Sequence, residues 1–481
     1  MRPMANHAFI YFLAFAMPGA FGFFAFSIYT RILSPEEYAL YSIGTSVSFL
    51  IGSVSYGWIR FSVGRYQAES PTANFLPFLL VCYAAVTAFL VPVIGISSWL
   101  IKSLPVAAVL AVWALTMSQA LFDISQEIRR ARGQSVAFAE ATIGRSILSF
   151  SFAVAGAFYF FSGAGLVFGI ATGFAIMAVR FLVKNRTWLL RHTLAPTEVK
   201  RFLAYGMPLT LSGLAFAGNS TAARAMVATL LGASDAGQFG AALDVTTQLA
   251  GIVAASVSAI VAPIAIRACR EGGAAAATAR LGDGAELMLA ALAPATAGLI
   301  ILAQSFGDIV VGPRFEHAAQ VLIPVLALSR AIDAFSQYYL HLGFQIIERP
   351  TLQVLCGGAT LIVNISLAAI LLPTHGVQGA VYGLLIGDIV GAVVSFLLLR
   401  MMFPMPIPVH ALARVGVCTA LMVAACAPLA HSLEGRPLLS LLLVPAAGVL
   451  IYGAAAYALD IARIRTQSVR VMLSGAKGQL L

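Results

Sequence analysis

The sequence predicts an all-α polytopic membrane protein of about 14 transmembrane helices. Of its 481 residues 60% are hydrophobic and only 10% charged, where a soluble domain is about a quarter charged. Runs of about 20 apolar residues recur along the whole length, each long enough to cross ~30 Å of hydrocarbon as a helix. The runs are continuous rather than alternating, which favours helices over a barrel.

Taken in order, the first run begins near Ala8, after Arg2, and continues to about Leu33. That is too long for the apolar core of a signal peptide, and another run follows directly, so it reads as a retained first helix. Six spans are expected at 8–33, 38–59, 75–100, 104–126, 136–161 and 163–183. A polar, basic segment, 184–201, follows. Six more are expected at 203–231, 237–266, 285–306, 318–343, 351–373 and 376–399, and a last pair at 411–430 and 437–459 before a basic tail. The organisation this implies is an N-terminal lobe, 1–201, with its linker at 184–201, a C-terminal lobe, 202–405, and a final section, 406–481. An even number of spans per lobe makes the lobes parallel repeats, with the cavity of such a protein between them.

One internal match supports duplication. Arg31-Ile32-Leu33-Ser34-Pro35-Glu36-Glu37-Tyr38-Ala39-Leu40-Tyr41 joins two apolar runs through an acidic turn, and so does Leu231-Gly232-Ala233-Ser234-Asp235-Ala236-Gly237-Gln238-Phe239-Gly240. At an offset of 198, Leu33 falls on Leu231, Glu37 on Asp235, Ala39 on Gly237 and Tyr41 on Phe239.

The formal net charge is +10. Its distribution matches the positive-inside rule rather than a nucleic-acid surface. With the N-terminus in the cytoplasm, 22 of the 29 Lys and Arg fall in cytoplasmic segments and 4 outside; Arg145, Arg224 and Arg330 lie within spans. That split places both termini in the cytoplasm. The five cysteines, Cys82, Cys269, Cys356, Cys418 and Cys426, show no metal-ligand spacing and read as small packed hydrophobes. No Walker A sequence, nucleophile elbow or HExxH motif is present, and no soluble segment has room for a catalytic domain. The expectation is therefore a protein without cofactor, metal or enzymatic activity, whose function lies in the helix bundle.

Polar residues inside spans carry the information, because a charge at mid-membrane is costly and normally has a partner or a task. In 203–231, Ser212, Asn219, Ser220 and Arg224 fall near one face. In 318–343, Arg330, Asp333, Gln337 and His341 form a polar stripe at helical spacing. Thr116, Gln119 and Asp123 do the same in 104–126. Asp244, Arg145 and Asp388 complete the set. Arg330 can be neutralised by Asp333 one turn on, Asp123 by Arg145, and Arg224 by Asp244. Arginine at depth also suits phosphate, whose oxygens its planar fork binds two at a time. Carboxylates at Asp123, Asp244, Asp333 and Asp388 keep a cation-coupled reading open.

The stretch Tyr205–Gly240 resembles the polysaccharide exporters, the Wzx-type O-antigen and exopolysaccharide flippases of the multidrug/oligosaccharidyl-lipid/polysaccharide superfamily. The resemblance rests on Gly206-Met207-Pro208, Ala223-Arg224, Leu231-Gly232, Ser234-Asp235 and Gly237-Gln238-Phe239. It rests also on the N-terminal turn Leu33–Tyr41, with Ala39 where glycine is usual, and on Ala262-Pro263. Ala223 stands where the family usually has Asp, so Arg224 lacks an adjacent acid. The resemblance implies translocation of an undecaprenyl-diphosphate-linked oligosaccharide by alternating access. It implies Arg224, Arg145 and Arg330 as the anionic head-group residues, with Asp123, Asp244, Asp333, Asp388, Asn219 and Gln337 as polar cavity, ion or structural partners. The partners it implies are lipid-linked oligosaccharide, membrane lipids, a polysaccharide polymerase and glycosyltransferases, with no nucleic acid. An ion-coupled small-molecule antiporter of the same superfamily and a lipid II flippase are the alternatives.

Overall fold

The structure, a computed structural model, describes residues 2–69, 74–100, 105–188, 196–347, 349, 351–406 and 409–461. The side chains of 2–16, 68, 94–100, 188, 196–198, 212, 215 and 216 are outside that description. Part of the expected linker (189–195), Ser212 and the basic tail (462–481) therefore lie outside the described residues.

Every described element is helical. In chain order the helices are α1 (Arg2–Ile32), α2 (Pro35–Glu69), α3 (Leu76–Leu100), α4 (Val106–Ala131), α5 (Ser135–Phe160), α6 (Gly163–Lys184), α7 (Pro196–Leu230) and α8 (Ala233–Ile301). They continue with α9 (Ala303–Val310), α10 (Glu316–Phe335), α11 (His341–Ile346), α12 (Leu352–His375), α13 (Val377–Met402), α14 (Val409–Ser432) and α15 (Pro437–Ala458). Helices satisfy every backbone hydrogen bond within the segment, which a lipid environment demands. Among the described residues ten helical stretches are long and apolar enough to cross a membrane, and the chain is a multi-pass membrane protein. α15 exposes Leu438, Leu442, Val449 and Leu450, an apolar face suited to lipid rather than water.

Two local departures from the expected spans have physical causes. Residues 267–284, expected as a loop, are helical on either side of Gly273, where two helices meet across a kink within α8. The run Ala274–Ala277 supplies strong helix formers there. The only break is at Gly273, with φ 70° and ψ −168°, a conformation glycine adopts without a side-chain penalty. The expected span 318–343 is interrupted after α10 by a π-helical turn, Ser336–Leu340, before α11.

By packing, the chain divides into two compact units: residues 1–245 with 350–383, and residues 246–349 with 384–481. In the first, α2 packs on α7 and α4, α6 on α5 and α4, and α12 on α7. Its aromatic core centres on Phe202, fully buried, with Tyr66, Phe75 and Phe78 around it at 5.0–5.8 Å between ring centroids. In the second, α14 and α15 pack together and onto α8 through Val415, Cys418, Ala456, Leu289 and Ala293. The buried carboxylate of Glu286 holds Arg414 at 2.9 Å.

The repeated acidic turn keeps its register in three dimensions. α1 ends at Ile32 and α7 at Leu230, while α2 begins at Pro35 and α8 at Ala233; both pairs are 198 residues apart. The two turns also meet. A Cβ on Gly237 would lie 1.7 Å from the Pro35 carbonyl oxygen, so only glycine lets α8 approach the start of α2 this closely. Tyr38, Leu33 and Phe239 are buried around the contact.

Candidate functional sites: charged clusters among the helices

Three of the charged clusters in the described helices contain the candidate residues. The first is built on α7, α8 and α2. Arg224 is 7% exposed in its side chain and pairs with Asp244, which is 27% exposed. The guanidinium Nη2 donates to Asp244 Oδ1 and Nε donates to Ser42 Oγ at 2.9 Å. Ser42 Oγ and the Tyr38 hydroxyl then donate to Asp244 Oδ2 at 3.0 and 3.1 Å. The helix brings these groups together because Tyr38 and Ser42 are one turn apart on α2. Sequence reasoning named Asp244 as the structural partner of Arg224 but missed Tyr38 and Ser42. Their signal was present: both sit at helical spacing just inside the acidic turn.

Asn219, one turn and a residue before Arg224, is buried. Its Oδ1 accepts from Asn364 Nδ2 on α12 at 2.6 Å, tying α7 to α12. Asn364 escaped the sequence reading, since a lone amide in an apolar run gives no spacing signal.

The second cluster lies between α2, α4, α5 and α6. Asp123 takes Arg60 as its ion-pair partner at 3.5 Å, and Arg60 also approaches Glu127 at 3.9 Å. Arg145 lies instead over two rings, 4.8 Å from the centroid of Phe174 and 5.8 Å from that of Phe122. Its Nη2 donates to Ser146 Oγ at 3.1 Å. Among the described residues no carboxylate lies within 4.0 Å of Arg145. Cation–π contact holds the side chain in place without cancelling its charge. Thr116, Gln119 and Asp123, the polar stripe of α4, line a small pocket with Ser48, Ser53 and Tyr56.

The third cluster joins α10 to α13. Arg330 is 4% exposed and sits between two carboxylates. Nη1 is 3.5 Å from Asp333 Oδ2, while Nη2 pairs with Asp388 Oδ2. Nη2 also donates to Ser329 Oγ at 2.9 Å, and Ser329 Oγ donates to Asp388. Gln337 hydrogen-bonds Asp333. His341 faces Ser395 Oγ at 3.4 Å. The Arg330–Asp333 contact was legible from i, i+3 spacing; the Asp388 contact spans 58 residues and was not.

The fold belongs to a class with known members. The chain matches the solved structure of a lipid II flippase, MurJ, in an inward closed conformation, with a TM-score of 0.73 at 14% identity, covering 93% of this chain and 98% of that one. It also matches an inward-facing multidrug resistance MATE transporter of the MOP superfamily, with a TM-score of 0.62 at 16% identity, covering 81% and 97%. A MOP superfamily transporter from Pyrococcus furiosus, whose binding pocket has reversed polarity, matches with a TM-score of 0.59 at 15% identity, covering 82% and 94%. At these identities the likeness is one of fold. No curated protein matches by sequence.

The family itself comes from residues 28–320, more than half of the chain, which match the polysaccharide biosynthesis proteins. The chain belongs to that family.

Proposed function

We propose that the protein is a flippase that moves an undecaprenyl-diphosphate-linked oligosaccharide from the cytoplasmic to the periplasmic leaflet of a bacterial inner membrane. The product would feed exopolysaccharide, capsule or O-antigen synthesis. Family membership and the transporter fold support this reading. The observation that carries it is Arg145: a half-buried arginine on α5, seated on Phe174 and Phe122, with no carboxylate within ion-pair distance among the described residues. A retained positive charge among apolar helices attracts a diphosphate, and the planar guanidinium engages two of its oxygens.

In this reading Arg145 meets the anionic head group, while Arg224 and Arg330 do so when their carboxylates let go. Asp244 holds Arg224, and Asp333 and Asp388 hold Arg330, between cycles, while Asp123, Asn219 and Gln337 supply further polar groups of the cavity, as ion or structural partners. Fourteen transmembrane segments are assigned, counting the two arms of α8 on either side of Gly273 and α10 with α11 as one span. Residues 1–201 and 202–405 act as parallel lobes around a central cavity, with 406–481 added. Both termini face the cytoplasm. Transport proceeds by alternating access without a catalytic step, and the polyprenyl tail stays in lipid. A polymerase and glycosyltransferases would handle the same substrate on either side.

Deleting the gene from its host tests this. Lipid-linked oligosaccharide should accumulate in a form that a periplasmic glycosidase cannot reach, and the wild-type gene should restore access. Unchanged glycosidase access after deletion would sink the proposal.

A further inference from the structure

We propose that Arg330, Asp333 and Asp388 form a proton-binding site, which holds one proton shared by the two carboxylates while α10 and α13 are packed together.

Charge balance carries this. The guanidinium contributes one positive charge and stays protonated; two ionised carboxylates against it leave the cluster at −1. The site is closed: side-chain exposure is 4% at Arg330, 19% at Asp333 and 0% at Asp388. A buried group left with an uncompensated charge neutralises by taking up a proton. A metal ion is a poor substitute, because the guanidinium already occupies the space between the carboxylates.

Among the described residues no other charge does the balancing. Within this unit, α10 carries Glu316 and His317 only at its start, and α13 adds Arg400 only at its end. α9 brings Asp308, which holds Gln320 near the start of α10. α8 touches the π-helical turn through Ser258 and has no ionisable residue between Thr246 and Ile266. The turn and α11 add Tyr338, which lies near Asp333, Tyr339, which donates to the Pro406 carbonyl, and His341, which faces Ser395. The charged groups acting on Arg330 are the two carboxylates, those acting on Asp388 are Arg330 and Asp333, and the one acting on Asp333 is Arg330.

Two further observations mark the site as unfinished in this packing. Among the described residues, Asp388 Oδ1 and Arg330 Nε are buried without hydrogen-bond partners. A free carboxylate oxygen beside an ion pair is where the proton can sit, and its position belongs to the pair rather than to one residue. The helix also widens into the π-helical turn Ser336–Leu340 three residues after Asp333. Such turns shift a helix's register at functional sites, so a small rotation there would change the water access of Asp333.

The site is tested by infrared difference spectroscopy on the purified full-length protein in detergent, which reads proton binding whether or not the chain is a flippase. The wild type should show a protonated-carboxyl band at neutral pH that disappears at alkaline pH and is indifferent to Na+. Asp333→Asn and Asp388→Asn should each lose one carboxyl equivalent, since either leaves Arg330 with a single ionised partner. An unchanged band in both variants, or its displacement by Na+ at fixed pH, would overturn the proposal. Should Asp388→Asn fail to fold, thermal unfolding of Asp333→Asn decides. Its stability should vary less with alkaline pH than that of the wild type, and an equal or steeper pH dependence would overturn the assignment.

Discussion

The Arg224 guanidinium on α7 is held by the Asp244 carboxylate on α8, twenty residues on, and both are gripped by Ser42 of α2. One buried ion pair therefore joins three helices around the repeated acidic turn. Removing one partner leaves a buried charge uncompensated, whereas removing both does not.

Asp244→Ala should accordingly destabilise the protein by about 3 kcal/mol, the cost of stranding a buried charge. Thermal unfolding in detergent reads this. The double variant Arg224→Met with Asp244→Leu should recover most of the loss. A single variant as stable as the wild type would mean that the pair does not organise this junction.

Gly237 permits the contact between the two turns. Gly237→Ala puts a methyl against the Pro35 backbone, which cannot move aside as a side chain can, and overpacking of this kind costs about 1–3 kcal/mol. Gly251→Ala, also on α8, meets nothing within 4 Å and is the control. It should be neutral or stabilising by up to about 1 kcal/mol. Equal melting temperatures for the two variants would contradict the close approach.

Asn364→Leu should cost about 0.6–1.7 kcal/mol, the range measured for hydrogen bonds between membrane helices. Asn219→Leu should cost a similar amount, and the double variant no more than either alone, because one hydrogen bond serves both side chains. Additive losses in the cycle would show that the amides act separately.

The class and the family-bearing turn were legible in the sequence because each rests on local chemistry. Lipid demands about 20 apolar residues per crossing, and the acidic turns Leu33–Tyr41 and Leu231–Gly240 carry their own pattern. Contacts within one helix, such as Arg330 with Asp333, follow from its period. Pairs across helices showed only in part: Arg224 with Asp244 was named, while the contacts of Asp388, Asn364, Tyr38 and Ser42 were not. Asp123 had Arg145 on the next span as its expected partner, yet Arg60 on α2 lies at 3.5 Å. Arg145 lies over aromatic rings, with Asp123 acting on it only from beyond ion-pair distance, and Phe122 and Phe174 do not stand out among 31 phenylalanines. Within 267–284, where polar residues suggested a loop, the break is confined to the kink at Gly273 between two helices.

Arg145 is where the functional account is most exposed. The decisive measurement is translocation of a fluorescent polyprenyl-diphosphate oligosaccharide in reconstituted vesicles, comparing the wild type with Arg145→Gln and Arg145→Lys. The account predicts transport by the wild type and a loss of about tenfold or more in Arg145→Gln, since a hydrogen bond to a charged group is worth about 1.5–3 kcal/mol. Arg145→Lys, a point charge without the fork, should fall between them. No translocation by well-folded wild-type protein, or full activity in Arg145→Gln, would contradict it.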